Sequence, residues 1–128
     1  MDDKIKILYA EDHITFRKAM ISFLKKYSQL EVIGEANTGK EAIAFLKHTH
    51  ADIVLLDIEM PVMNGVDALK IIAKDHQDSK VIIMSSYSGE ELNNELLRLG
   101  AKAFVPKSLE PEKLVEIIIK VNAAKKKE

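Results

Sequence analysis

Cysteine is absent from the 128 residues, which excludes a disulfide framework, a thiolate nucleophile and a thiolate zinc site. No apolar run approaches the roughly 20 residues needed to cross a bilayer. The opening Met-Asp-Asp-Lys has none of a signal peptide's apolar core. A net charge of −1 provides no global field favouring nucleic acid or an anionic membrane. No repeat, low-complexity tract or internal linker interrupts the chain. What is present is an ordinary balance of 47% hydrophobic and 30% charged residues, in a length suited to one domain with a real core. The expectation is a cytoplasmic globular domain with no direct contact to nucleic acid or membrane.

Ile53 to Leu56 form a short aliphatic run that Asp57 ends abruptly, with Pro61 and Gly65 marking a turn beyond it. Such a run reads as a parallel strand buried on both faces. Ile5–Ala10, Glu31–Ala36, Lys80–Ser86 and Lys102–Val105 read as four more strands, the second at an edge because it is poor in apolar residues. His13–Tyr27 reads as a helix with Phe16, Ala19, Met20, Phe23, Leu24 and Tyr27 inward, leaving Arg17, Lys18, Lys25 and Lys26 outside. Thr38-Gly-Lys-Glu41 is a capping box opening a helix through His48, with Ala42, Ile43, Phe45 and Leu46 buried. Asn64 caps a helix to about Asp75, with Val66, Leu69, Ile72 and Ala73 inward. Ser88-Gly-Glu-Glu91 opens another that Gly100 stops, and Pro111 suits the first turn of a last helix reaching Ala124. Ile117 to Ile119 widen the apolar face of that helix; either the core stripe is broad, or Ile119 with Val115 meets a partner. Strict strand–helix alternation predicts an α/β fold, a doubly wound parallel sheet with right-handed crossovers. The domain spans 1–124, and Lys125–Glu128 is a lysine-rich tail or the start of a linker.

The chemistry collects at strand ends. Glu11 and Asp12, Asp57, Ser85 and Lys107 each stand at or just beyond the carboxyl end of a strand, the rim where open α/β sheets place ligands. Three neighbouring carboxylates repel and raise one another's pKa unless a cation intervenes. Oxygen ligands that leave room for water favour magnesium. Lys107 suits a phosphate oxygen, and the Ser85 hydroxyl a hydrogen bond to the same group. Together they describe a phosphoryl-transfer site. Taken singly, Asp57 reads better as a helix cap, Glu11 and Asp12 as first-turn acids, Lys107 as a surface lysine and Phe104 as plain core. Only the constellation argues otherwise. His13, His48, His50 and His76 lack metal-ligand spacing and read as solvated; Met60 and Met63 read as packing residues.

Asp57-Ile-Glu-Met-Pro-Val-Met-Asn-Gly65 resembles the phosphoacceptor segment of two-component response-regulator receiver domains (the CheY-like family). The acidic pair Glu11-Asp12, acceptor Asp57, hydroxyl Ser85, aromatic Phe104 and Lys107 follow the family's order and spacing along the whole chain. The resemblance implies a flavodoxin-like (βα)5 domain with strand order 2-1-3-4-5. It implies that Asp57 takes a phosphoryl group from a phosphohistidine of a sensor histidine kinase or phosphotransfer protein. Magnesium, with manganese able to replace it, would be held by Asp12, Asp57 and the backbone carbonyl of Glu59, with Glu11 acting through water. Lys107 would pair with the acceptor and then the phosphoryl group, Ser85 would move to bond it, and Phe104 would turn inward. That shift would remodel the face of the fourth helix, fifth strand and fifth helix, with a homodimer as one result. Gly100-Ala-Lys-Ala-Phe-Val-Pro-Lys-Ser108 and Glu11-Asp12-His13 look most like receivers of LuxR/NarL-type regulators, which implies a C-terminal helix-turn-helix domain in a longer parent protein. Glu11 is one methylene longer than the Asp often found there, Ser85 stands for a frequent Thr, and Ser108 for a frequent Pro.

Two other classes compete. An aspartyl-phosphate hydrolase would use Glu59 as its second acid, but the rest of that motif and a cap domain are absent. A flavin-binding domain would need glycines and hydroxyls after the first strand, where Glu11-Asp12-His13 stands. The expected activity is therefore self-phosphorylation and slow autodephosphorylation, without turnover of an external substrate.

Overall fold

The computed structural model describes residues 4–60, 63–86 and 89–124. Its elements alternate as β1 (Ile5–Ala10), α1 (Ile14–Leu24), β2 (Leu30–Ala36), α2 (Gly39–Leu46), β3 (Ile53–Asp57), α3 (Gly65–Asp75), β4 (Lys80–Ser85), α4 (Glu90–Arg98), β5 (Ala103–Pro106) and α5 (Pro111–Ala123). All strand pairs are parallel, in the order β2-β1-β3-β4-β5. The run from Ile53 to Asp57 is buried at every position and lies in the middle of the sheet, while β2 takes an edge.

The strand residues alternate between two cores, as a period of two requires. Leu8, Ala10, Val54, Leu56, Val81 and Ile83 pack with α2, α3 and α4 residues such as Ile43, Leu69 and Leu96. Ile7, Tyr9, Ile53, Leu55, Ile82 and Met84 pack with α1 and α5 residues such as Leu24, Leu114 and Ile118. Each fully buried aliphatic side chain contributes about 1.5–3 kcal/mol. The sheet is therefore the rigid plane from which the loops at its carboxyl edge project.

Local chemistry sets the helix starts. Thr38 Oγ1 accepts from Glu41 N at 3.0 Å, and Glu41 reaches back to Asn37 N at 2.7 Å, one residue earlier than in the expected capping box. Asn64 Oδ1 accepts from Asp67 N at 2.9 Å, Gly100 leaves α4 at φ +122°, and Pro111 occupies the first turn of α5. Ser88 and Pro61 lie outside the described residues, as do 125–128; Gly89 caps α4 without a side-chain bond.

Three expectations need correction. The buried residues of α1 are Arg17, Met20, Ile21 and Leu24, with Phe16, Phe23 and Tyr27 partly buried against the same core, whereas Ala19 is exposed. Arg17, expected in solvent, is buried; its partners are described below. In α5, Val115 is 3% exposed and Ile119 37%, so of that pair Ile119 alone reaches solvent, which supports the broad core stripe. The predicted ends of α1 and α2 also overshoot, because the chain leaves these helices at Leu24 and Leu46.

Gly65 closes the loop after β3. Its N–H donates to Ile58 O at 3.0 Å, and an added Cβ would lie 2.4 Å from both Asp57 O and Ile58 Cα. Backbone atoms cannot yield there as a side-chain tip can. Gly65→Ala is expected to destabilise the fold by about 1–3 kcal/mol, the usual range for overpacking. Urea denaturation measures this, and an unchanged midpoint would show that the loop can open without cost.

Candidate functional site

The parallel register brings the sequence-separated residues together. β1 and β3 are neighbours, with Ala10 opposite Leu56, so Glu11 and Asp57 emerge side by side. β3 pairs with β4 and β4 with β5, which sets Ser85 opposite Pro106. Three backbone bonds extend the sheet one step beyond its strands: Glu11 N to Ala36 O at 2.9 Å, Ile58 N to Met84 O at 3.2 Å, and Lys107 N to Ser85 O at 2.8 Å. The loops thus leave the sheet in defined positions. Glu11, Asp12, Asp57, Ser85 and Lys107 occupy this edge, as the sequence reading expected.

Glu11 and Ser85 are fully buried, Asp57 is 1% exposed, and Asp12 is exposed. Lys107 Nζ lies 2.9 Å from Glu11 Oε1 and 3.2 Å from Asp57 Oδ2, bridging the two buried carboxylates. It also lies 5.4 Å from the centroid of the Phe16 ring, within cation–π range. Asp57 Oδ1 accepts from Glu59 N at 3.0 Å. Glu11 Oε2 accepts from His13 N at 3.1 Å, and His13 Nδ1 in turn caps α1 by accepting from Phe16 N at 3.0 Å. Phe104 is half-buried and packs on the α2–α3–α4 side of the sheet.

Burial pushes the Asp57 carboxyl up to about 6, and the neighbouring Glu11 carboxylate adds to the rise; the Glu59 N–H and the Lys107 ammonium oppose it. Burial alone would pull the Lys107 ammonium down, but Glu11 and Asp57 hold it above the ordinary lysine value.

Carboxylate oxygens of Glu11, Asp12 and Asp57 lie within 4.8 Å of one another. Glu11 Oε1 is buried and receives no aligned hydrogen bond; Lys107 reaches it only as a charge contact. A donor set of three carboxylates, two of them buried, fits a hard divalent cation. The acidic group can hold a metal.

Residues that the sequence reading passed over also shape this edge. Arg17 sends its guanidinium under the first loop, where Nη1 donates to Glu11 O. Its position three, four and seven residues before Met20, Ile21 and Leu24 marked it for the buried stripe, but its charge argued for solvent. His13, expected in solvent, is indeed exposed yet acts as a helix cap.

A family model described as the response regulator receiver domain matches residues 7–119. An uncharacterised transcriptional regulatory protein of Bacillus subtilis, YhcZ, is 40% identical over 88% of this chain, which spans 52% of that relative's length. The chemotaxis protein CheY of Thermotoga maritima is 37% identical over 87% of this chain and 92% of its own. A DNA-binding response regulator of the LuxR family from Staphylococcus aureus superposes with a TM-score of 0.86 at 32% identity, covering 92% of this chain and 98% of that one.

The raised Asp57 pKa has a consequence for stability. The folded chain holds the Asp57 proton more tightly than the unfolded chain, so this contribution is present below about pH 4 and lost as pH rises through about 6. In chelated, metal-free buffer at pH 7, Asp57→Asn is expected to be more stable than wild type by about 3 kcal/mol. The advantage should shrink toward zero at pH 4. Denaturant titrations at both pH values test this; equal stabilities at pH 7 would show that Lys107 fully compensates the buried charge.

Proposed function

This chain belongs to the response-regulator receiver family, and from that premise we propose that it is the phosphoacceptor of a two-component system in the cytoplasm, with residues 1–124 as the receiver unit. The observation that supports the reading best is Asp57 itself. A carboxylate 1% exposed at the end of the central strand, with a lysine at 3.2 Å and two further acids beside it, has little reason to be there as a helix cap.

In this reading an Asp57 carboxylate oxygen attacks the phosphorus of a phosphohistidine on a sensor kinase or phosphotransfer protein. The P–O bond forms as the P–N bond breaks, and the imidazole leaves with a proton. Glu11, Asp12, Asp57 and the Glu59 backbone carbonyl would hold Mg2+, or Mn2+ in its place. When bound, this ion neutralises charge on the acids and the phosphoryl oxygens. Lys107 now shares its charge between Glu11 and Asp57 and would turn it to a phosphoryl oxygen. The Ser85 hydroxyl would bond another such oxygen, and Phe104, half-buried on the α4 side, would turn inward. The affected face is α4, β5 and α5. Its output would be a homodimer contact or a C-terminal DNA-binding domain in a longer parent protein, since YhcZ and the LuxR-family regulator are described as regulators of transcription or DNA-binding proteins. Phosphoryl gain and slow loss on Asp57 would be the whole of its chemistry.

Incubation with Mg2+ and a small acyl-phosphate donor, followed by intact mass, is expected to add one phosphoryl group to wild type and none to Asp57→Ala. Equal gain by the variant would remove Asp57 as acceptor. Multiple turnover of a phosphate ester would favour the hydrolase reading instead. Ser85→Ala is expected to take up the group yet lose the induced change. Wild-type NMR shifts around Phe104 and α5 in that phosphorylated variant would count against the switch.

A further inference from the structure

Arg17 is 5% exposed and stands in the apolar stripe of α1, where an aliphatic residue would satisfy the core. Its bonds point away from the helix. Nη1 donates to Glu11 O, to Ala36 O at 3.2 Å and to Asn37 Oδ1 at 2.8 Å, while Nε meets Glu35 Oε1 at 2.8 Å. Glu11 O belongs to the peptide unit that joins Glu11 to Asp12. The same residue's N–H is held by Ala36 O at 2.9 Å, so both backbone groups of Glu11 are tied to the end of β2, one directly and one through the guanidinium. Beyond it, Gly39 N donates to Met63 O at 3.2 Å, linking the start of α2 to the loop after β3.

This matters because Asp12 has no hydrogen bond or ion pair of its own among the described residues. Its carboxylate is placed only by the backbone that carries it. Repulsion from Glu11 and Asp57 would drive that loop outward if the peptide were loose. We infer that Arg17 is a positioning residue for the cation site: it holds the Glu11–Asp12 peptide so that both carboxylates face Asp57. The inference rests on the metal-dependent reading given above. Glu35 is shared between Arg17 at 2.8 Å and Lys18 at 3.1 Å, so it offsets the guanidinium charge only in part and the brace keeps positive charge near the acids.

The sign of the effect separates positioning from charge. Charge alone predicts tighter Mg2+ binding when Arg17 is removed, because a nearby cation is lost. Positioning predicts weaker binding. Isothermal titration with Mg2+ is expected to show about a tenfold loss of affinity in Arg17→Met, the lower end of what partners behind metal ligands provide. Arg17→Lys keeps the charge but cannot reach all these acceptors, and should lose affinity similarly. Thermal midpoints in chelator define the folded fraction, and wild-type affinity in folded Arg17→Lys, or tighter binding in Arg17→Met, overturns the proposal. If both variants fail to fold, Asn37→Ala decides: it removes one neutral bond to the guanidinium and should weaken Mg2+ by a smaller factor, whereas unchanged affinity overturns it. Wild type that binds no Mg2+ would instead undo the functional reading itself.

Discussion

Glu11 and Asp57 lie beside each other out of water, and the ammonium of Lys107 between them is what makes that arrangement tolerable. Two buried carboxylates without a counter-ion would protonate or drive their loops apart. The lysine relieves this only in part, since Asp57 still titrates near 6 and one Glu11 oxygen stays without an aligned donor. The edge of the sheet is thus left with surplus negative charge in a dry setting. Such an edge favours an incoming cation and, with it, an anion that would otherwise be repelled.

Holding this tension requires a stiff frame. Aliphatic residues alternate into two cores on either side of the sheet, so the strands cannot shift without exposing one layer or the other. Ladder-like bonds at Glu11, Ile58 and Lys107 carry the sheet geometry into the loops. Gly65 lets the loop after Asp57 turn back against its own backbone, and Arg17 ties the first loop to the second. The proposed switch elements are placed differently. Phe104 is half-buried on the α4 side of the sheet, and β5, with four residues, is the shortest of the described strands.

Much of this was legible in the chain. The all-apolar Ile53–Leu56 run read as a central strand because a strand buried on both faces needs no polar alternation, and the acid-ended strands located the site edge. Helix starts at Thr38 and Asn64 were readable because capping is a local hydrogen bond within three residues. Arg17 was not read as buried: its partners at Glu35, Ala36 and Asn37 lie on another strand and loop, and a charged residue without visible acceptors looks solvated. On α1 the apolar spacing identifies Phe16, Met20, Phe23, Leu24 and Tyr27 correctly, and only Ala19 departs from it.

By itself, then, the sequence determined the alternation of elements, the parallel sheet and the five residues at its carboxyl edge, because periodicity and capping act over a few residues. Tertiary structure alone decided how far those residues are dried and how closely they meet. Burial and Coulomb interaction depend on what the neighbouring strands bring within a few ångströms. That is why Asp57, a plausible helix cap when read in line, becomes a strained carboxylate beside Glu11 and Lys107 once β1, β3 and β5 stand in one sheet.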